Sequence, residues 1–271
     1  MSAPTLTSAA ASRPPSAPEL VTEARGTAAT APRAAALLRS RGLQVGGITP
    51  FSATDYPGKL AAVVFVQGCP WRCGYCHNPH LQTRNASSPL DWPQVLALLK
   101  RRVGLIDAVV FSGGEPTIDP ALEDAMREVR ALGFAIGLHT AGAYPRRLAE
   151  ILPLLDWVGI DVKTSPRRYD ALTQIGGSGQ ALDASLQAVL ESGVPHEVRT
   201  TLHPDLHTSA DILALARSLS AMGVHHYALQ EFRAVGCVDE GFKRPAAAAY
   251  LGAALVSQVR ALFPDFTLRE V

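Results

Sequence analysis

The sequence predicts an α/β fold, a complete or partial (β/α) barrel. Three observations predict it. Six strand–helix units follow one another between residues 60 and 262. Their strands are mostly continuous β-branched and apolar runs, the pattern of parallel strands covered on both faces. Polar and glycine clusters recur where those strands end, which is where parallel α/β folds place their chemistry.

The elements can be justified in order. LQVGGITPF (43–51) reads as a short strand entering the domain, and LAAVVFVQG (60–68) as the first buried strand. SPLDWPQVLALLKRR (88–102) is a helix with Asp91 as N-cap and Pro93 in its first turn. DAVVFSGGEP (107–116) is a strand ending in a glycine turn. Then come helix 120–132, strand FAIGLHT (134–140), helix 145–154, strand WVGIDVK (157–163) and helical stretches from 166 to 192. Strand HEVRTTL (196–202), helix 208–222, strand HHYALQEF (225–232) and helix 246–262 complete the series. Strand followed by helix followed by strand implies parallel pairing with right-handed crossovers.

Residues 1–42 are a different material. They are mostly Ala, Pro, Ser and Thr, with no aromatic residue, and read as a disordered tail, apart from a short helix near 34–42. Such a stretch buries too little apolar surface to offset its ordering entropy. It carries no continuous apolar run of the secretory kind, so a cytoplasmic protein is expected. Residues 43–271 are expected to form the folded domain.

Composition excludes several function classes. The formal charge of +1 on 271 residues points to neither a nucleic-acid nor a membrane partner. No apolar run approaches the roughly 20 residues needed to span a bilayer. Of four cysteines, three are clustered in GCPWRCGYCHNP (68–79): Cys69, Cys73 and Cys76. That is a poor disulfide framework for a chain this long and a natural metal loop in a reducing compartment.

The residues alone leave four readings of that loop. A structural zinc would take His77 or His80 as fourth ligand, although closed zinc sites commonly come as two paired knuckles. CGYCH fits a covalent haem attachment, usually made outside the cytoplasm. The cysteines could be plain core residues, but their Pro, Trp, Arg, Gly and Asn neighbours are those of a loop. The last reading is a cubane iron–sulfur cluster on three thiolates, with one iron left open for another ligand.

CPWRCGYC, with an aromatic residue before the last Cys, and SGGEP after the next strand resemble the two hallmarks of the radical S-adenosylmethionine (SAM) superfamily. The longer stretch GGITPFSATDYPGKLAAVVFVQGCPWRCGYCHNP resembles the activating proteins of glycyl radical enzymes, most closely that of anaerobic ribonucleoside-triphosphate reductase. The resemblance implies a partial (β/α)6 barrel of the radical SAM type. It implies a [4Fe–4S] cluster held by Cys69, Cys73 and Cys76, with SAM on the open iron. It also implies a partner ribonucleotide reductase and a low-potential electron donor such as flavodoxin or ferredoxin. On the same basis Tyr75 packs on adenine, with His77 beside it on the cofactor side. Gly113 and Gly114 let backbone approach SAM, and Glu115 receives its ammonium. Lys163 binds its carboxylate, helped by Arg199, and Asp161 binds the ribose or a cation.

The chain departs from the family twice. Where relatives often read Asp-Thr-Asn-Gly it has His139-Thr140-Ala141-Gly142, which puts a cation site there in doubt. Near the last strand Glu231-Phe232-Arg233 replaces a ribose-binding His, and nothing is carried over. Cys237, far along the chain, is expected to be a lone loop thiol. Two other readings stay open: a radical SAM enzyme for a small molecule, like 7-carboxy-7-deazaguanine synthase, and a non-catalytic zinc or electron-transfer protein.

Overall fold

The structure, a computed structural model, describes residues 42–85, 87–243 and 251–270. The expected tail and its short helix lie outside the described residues, but for Gly42, as does the start of helix 246–262.

Among the described residues eight strands form one sheet in strictly sequential order. They are β1 (Val45–Ser52), β2 (Ala61–Val66), β3 (Ala108–Gly113), β4 (Ala135–Thr140), β5 (Trp157–Asp161), β6 (His196–Leu202), β7 (His226–Glu231) and β8 (Asp265–Arg269). The pair β1–β2 is antiparallel and every later pair is parallel. The intervening helices are α1 (Trp92–Lys100), α2 (Leu122–Ala131), α3 (Pro145–Ile151), α4 (Pro166–Thr173), α5 (Ser178–Ser192), α6 (Ser209–Ala221) and α7 (Ala253–Arg260). The edges β1 and β8 do not pair among the described residues, so the barrel is partial. The six expected parallel strands are β2 to β7. β8 is an addition: DFTLR alternates over only five residues, too short to stand out in the sequence.

Local signals place these elements. Asp91 and Gln94 form a capping box at the start of α1, Asp91 N–H donating to Gln94 Oε1 at 3.1 Å. Thr208 and Asp211 do the same for α6. The strands then present two faces. On β2, Ala62, Val64 and Val66 face the helices and join the large outer core, while Ala61 and Val63 face inward.

The inward residues explain why one end of the barrel is solid. Ala61, Val63, Ala108 and Val110 cluster with Trp157 and Tyr56, and the last two rings lie 5.2 Å apart. Tyr56, from the DYPGK stretch, is only 6% exposed. Gly137 makes room for it: a Cβ there would sit 3.0 Å from both Tyr56 Cδ1 and Val110 Cγ2. Apart from Tyr56, these residues belong to the N-terminal halves of their strands, so the opposite, C-terminal end is left for polar groups.

Candidate active site

At that C-terminal end one cavity brings most of the predicted site residues together. Cys69, Cys73, Cys76, Tyr75 and His77 line one side. Gly113, Gly114, His139, Asp161, Lys163 and Arg199 line the rest. The space between these walls is about 850 Å³, part of it open solvent. Its wall also includes Ser112, Gln82 and Thr201, which sequence reasoning missed. Ser112 opens the SGGEP motif, whereas Gln82 and Thr201 carry no motif of their own.

The cysteine loop leaves β2 and is tied down by backbone. Gly68 N–H donates to Leu81 O at 2.7 Å, Cys69 N–H to Gln82 O at 3.1 Å, and Arg72 N–H to Thr173 O at 2.9 Å. The Arg72 guanidinium reaches back to the carbonyls of Cys69 and Trp71. Trp71 is buried and meets Tyr169 edge-on at 5.6 Å. Among the described residues no three His, Cys, Asp or Glu side chains converge on a single-ion site; the thiols instead border one end of the cavity. Burial and the nearby Glu115 push the Cys69 thiol up to about 12. Burial also raises Cys73, only partly offset by Lys163. Such thiols stay protonated until a metal displaces the proton.

The SGG turn is built by close approach. Gly113 has φ +123°, and a Cβ on it would stand 2.4 Å from Val66 N and O. A Cβ on Gly114 would stand 2.4 Å from Gly68 O. The ends of β2 and β3 therefore touch through bare backbone, an arrangement only glycine permits. This joins the cysteine loop to the glycine turn.

Glu115 departs from expectation. Its carboxylate is fully buried and does not line the cavity. Four protein donors occupy it. Oε1 accepts from Thr117 N–H (3.1 Å), Thr117 Oγ1 (2.6 Å) and Thr140 Oγ1 (2.8 Å), and Oε2 accepts from Ala141 N–H (2.8 Å). Glu115 thus caps the short 3-10 turn Pro116–Ile118 and staples it to the end of β4. Burial raises the Glu115 pKa, and the four hydrogen bonds only partly offset it.

The charged pair on β5 behaves as its alternation predicts. Asp161 Oδ1 accepts from Arg199 Nε at 2.9 Å. Burial works against the Asp161 carboxylate, but the Arg199 and Lys163 charges outweigh it and hold its pKa below the usual value. Burial likewise works against the Lys163 ammonium, yet its surroundings, the Asp161 carboxylate among them, hold its pKa well above the usual value. Lys163 Nζ lies 5.8 Å from the Tyr75 ring centroid. Tyr169 fixes this stretch from behind, its hydroxyl accepting from Lys163 N–H (2.8 Å) and donating to Asp161 O (3.3 Å). His139 donates from Nε2 to Asp55 O at 2.8 Å. Burial, then the Arg199 charge, hold it neutral, with its pKa pulled down to about 3.

Cys237 is not remote in space. It is buried, and its thiol lies 3.6 Å from Gly74 O, behind the cysteine loop. The long sequence separation hid this.

Two orphaned atoms test the fit to the implied cofactors. Tyr75 Oη and His77 Nε2 are buried on cavity-lining residues with no hydrogen-bond partner among the described residues. Buried polar groups are rarely left so. Three thiols, a lysine ammonium and uncommitted polar atoms around one cavity fit a thiolate-held cluster beside a zwitterionic ligand.

Comparison with known proteins agrees. A profile of the radical SAM superfamily matches residues 63–219. A Methanocaldococcus jannaschii protein named as a glycyl-radical enzyme activating enzyme is 30% identical over 74% of this chain and 84% of its own length. The pyruvate formate-lyase-activating enzyme of Clostridium pasteurianum is 32% identical over 62% of this chain and 72% of its own. Among solved structures, Streptococcus suis SuiB bound to its precursor peptide SuiA superposes with a TM-score of 0.61 at 15% identity. That match covers 76% of this chain and about half of SuiB, 48%, and speaks for the fold alone. With barrel, cysteine loop and glycine turn in place, the chain belongs to the radical SAM superfamily, whose cofactors are a [4Fe–4S] cluster and S-adenosylmethionine.

Proposed function

We propose that the protein is an activase that generates a glycyl radical on a partner anaerobic ribonucleoside-triphosphate reductase. Cys69, Cys73 and Cys76 hold the cluster, and Lys163 holds the SAM carboxylate beside Asp161 and Arg199. Tyr75 and His77 border the adenosyl side. The cofactors supply reductive cleavage of SAM to methionine and a 5′-deoxyadenosyl radical; this chain positions the reactants and excludes water. A low-potential donor of the flavodoxin or ferredoxin class feeds the electron, in a reducing cytoplasm.

The observation that carries this reading is the opening beside the cavity. His77, Arg199 and Thr201 are shared with a second cavity, rimmed by Asp55, Gln230, Glu231, Arg233 and Arg269. Its walls mix donors and acceptors, which suits a main-chain segment presenting both. A bare glycine backbone can enter without a Cβ clash, and its Cα radical is stabilised by both flanking amides. Placement next to C5′ then selects the atom attacked. The DYPGK-to-CHNP resemblance and the two activating-enzyme relatives support the partner class.

The test mixes reduced protein, SAM and the reductase and records an electron paramagnetic resonance spectrum. A glycyl doublet that disappears when the partner glycine becomes alanine is the expected result. SAM cleavage with no radical on the reductase, and turnover of a small molecule, would replace this reading with the 7-carboxy-7-deazaguanine synthase-like one.

A further inference from the structure

The segment 232–243, FRAVGCVDEGFK, follows β7 and packs behind the cysteine loop. Its two phenylalanines fill a gap between that loop and His203. On one side Tyr75 meets Phe232 and Phe242 at centroid distances of 6.3 and 6.2 Å, and His77 stacks on Phe232 at 4.9 Å and 22°. On the other, the His203 ring meets Phe232 and Phe242 edge-on at 4.9 and 5.0 Å. All five distances lie in the range where aromatic pairs attract.

The layer is anchored and tight. His203 is 1% exposed. Its Nδ1 accepts Asp205 N–H at 3.1 Å, which leaves the proton on Nε2 to donate to Phe242 O at 3.1 Å. At the loop, a Cβ on Gly74 would come within 2.7 Å of Phe242 Cε2. A Cβ on Gly236 would come within 2.3 Å of His77 O. The Cys237 thiol adds a weak bond to Gly74 O. The stretch 74–77, which carries one cluster ligand and directly follows another, is thus pressed from behind by one strap.

We propose that Phe232 and Phe242, backed by His203, form an aromatic wedge that positions the Cys73–Cys76 turn for the cluster, with Phe242 as its main positioning residue. This rests on the cluster assignment but not on the identity of the partner protein. The apoprotein cysteine loop is held in place before iron arrives, because the wedge packs on the Tyr75 and His77 rings and against the Gly74 backbone. Gly74 has no side chain because the wedge occupies that space. An alanine there forces the Phe242 ring to shift, whereas a leucine at 242 has no atom at the Cε2 position.

The experiment compares wild type with Phe242→Ala, Gly74→Ala and the double variant Gly74→Ala/Phe242→Leu. Amide hydrogen exchange is followed at residues 72–77 in the metal-free protein, with the barrel strands as internal control. Both single variants should exchange roughly tenfold faster at these amides while the strands stay protected, since about 1.4 kcal/mol of local opening free energy is tenfold in rate. The double variant should return toward wild type, a coupling expected only of touching residues. After anaerobic reconstitution, the reduced-cluster resonance g-values should shift in the single variants and recover in the double. Wild-type exchange in Phe242→Ala, or a double variant no slower than Gly74→Ala, would overturn the wedge. A reductase that never acquires a radical, with the exchange pattern intact, would overturn the partner assignment and leave the wedge standing.

Discussion

Asp161 and Arg199 are register partners on β5 and β6, and their side chains close a 2.9 Å ion pair at the cavity wall. Gly159 makes this possible, since a Cβ there would stand 2.9 Å from Arg199 Cζ. The pair neutralises itself. That leaves Lys163, a neighbour of Asp161 with no hydrogen bond to it among the described residues, as the cavity's less committed cation.

Lys163→Ala should therefore weaken SAM binding more than Arg199→Ala does. A charge-assisted contact is worth about 1.5–3 kcal/mol, so the loss is roughly tenfold to a hundredfold. Equilibrium binding of SAM to reconstituted protein measures it, with iron content as control. Unchanged affinity in Lys163→Ala would show the carboxylate lies elsewhere.

Cys69→Ala, Cys73→Ala and Cys76→Ala should each abolish the cluster after anaerobic reconstitution. Cys237→Ala should retain it, because that thiol faces a carbonyl behind the loop. Iron and sulfide analysis with visible absorbance reads the outcome. A full cluster in Cys73→Ala would sink the ligand assignment.

Glu115→Ala should destabilise the fold. It strips partners from Thr117 N–H, Ala141 N–H and the Thr140 hydroxyl, each buried. Orphaned buried groups cost about 1–3 kcal/mol apiece, so a loss of at least ~2 kcal/mol in denaturant unfolding is expected. Glu115→Gln should also be costly, because its amide must either turn a donor toward Ala141 N–H or surrender the Oε1 bonds. A wild-type midpoint in both variants would show that the staple contributes nothing.

His139 makes stability depend on acidity. Its folded pKa is about 3 against an ordinary 6.5. Between those values the unfolded chain takes up a proton that the folded one refuses. Its contribution is complete above about pH 6.5 and shrinks as pH falls through the window, by at most ~1.4 kcal/mol per pH unit. His139→Gln, which keeps a donor for Asp55 O, should flatten that part of the stability curve. Parallel curves for variant and wild type would refute the assignment.

Much of this was legible in the sequence because the signals are local. The β-branched run 60–68, the Asp91 cap and the glycine turn at 113–114 each carry their own physical cause. The cysteine spacing marks the metal-loop candidate for the same reason, and its three thiols line one cavity. What stayed hidden depends on distant pairing. DFTLR becomes β8 only against β7. Glu115 looked like a ligand contact because no residue near it announces that Thr140 and Ala141 fill its oxygens. Cys237 and Phe242 reach the cysteine loop across more than 150 residues, and nothing in FRAVGCVDEGFK alone says so.

Tyr56 and Trp157 stopper the barrel's N-terminal end, and a stoppered vessel has a queue. Whatever lies deepest must enter first and depart last, because later arrivals sit in its way out. Ligands that reach the cavity from its C-terminal end therefore meet a floor of packed rings.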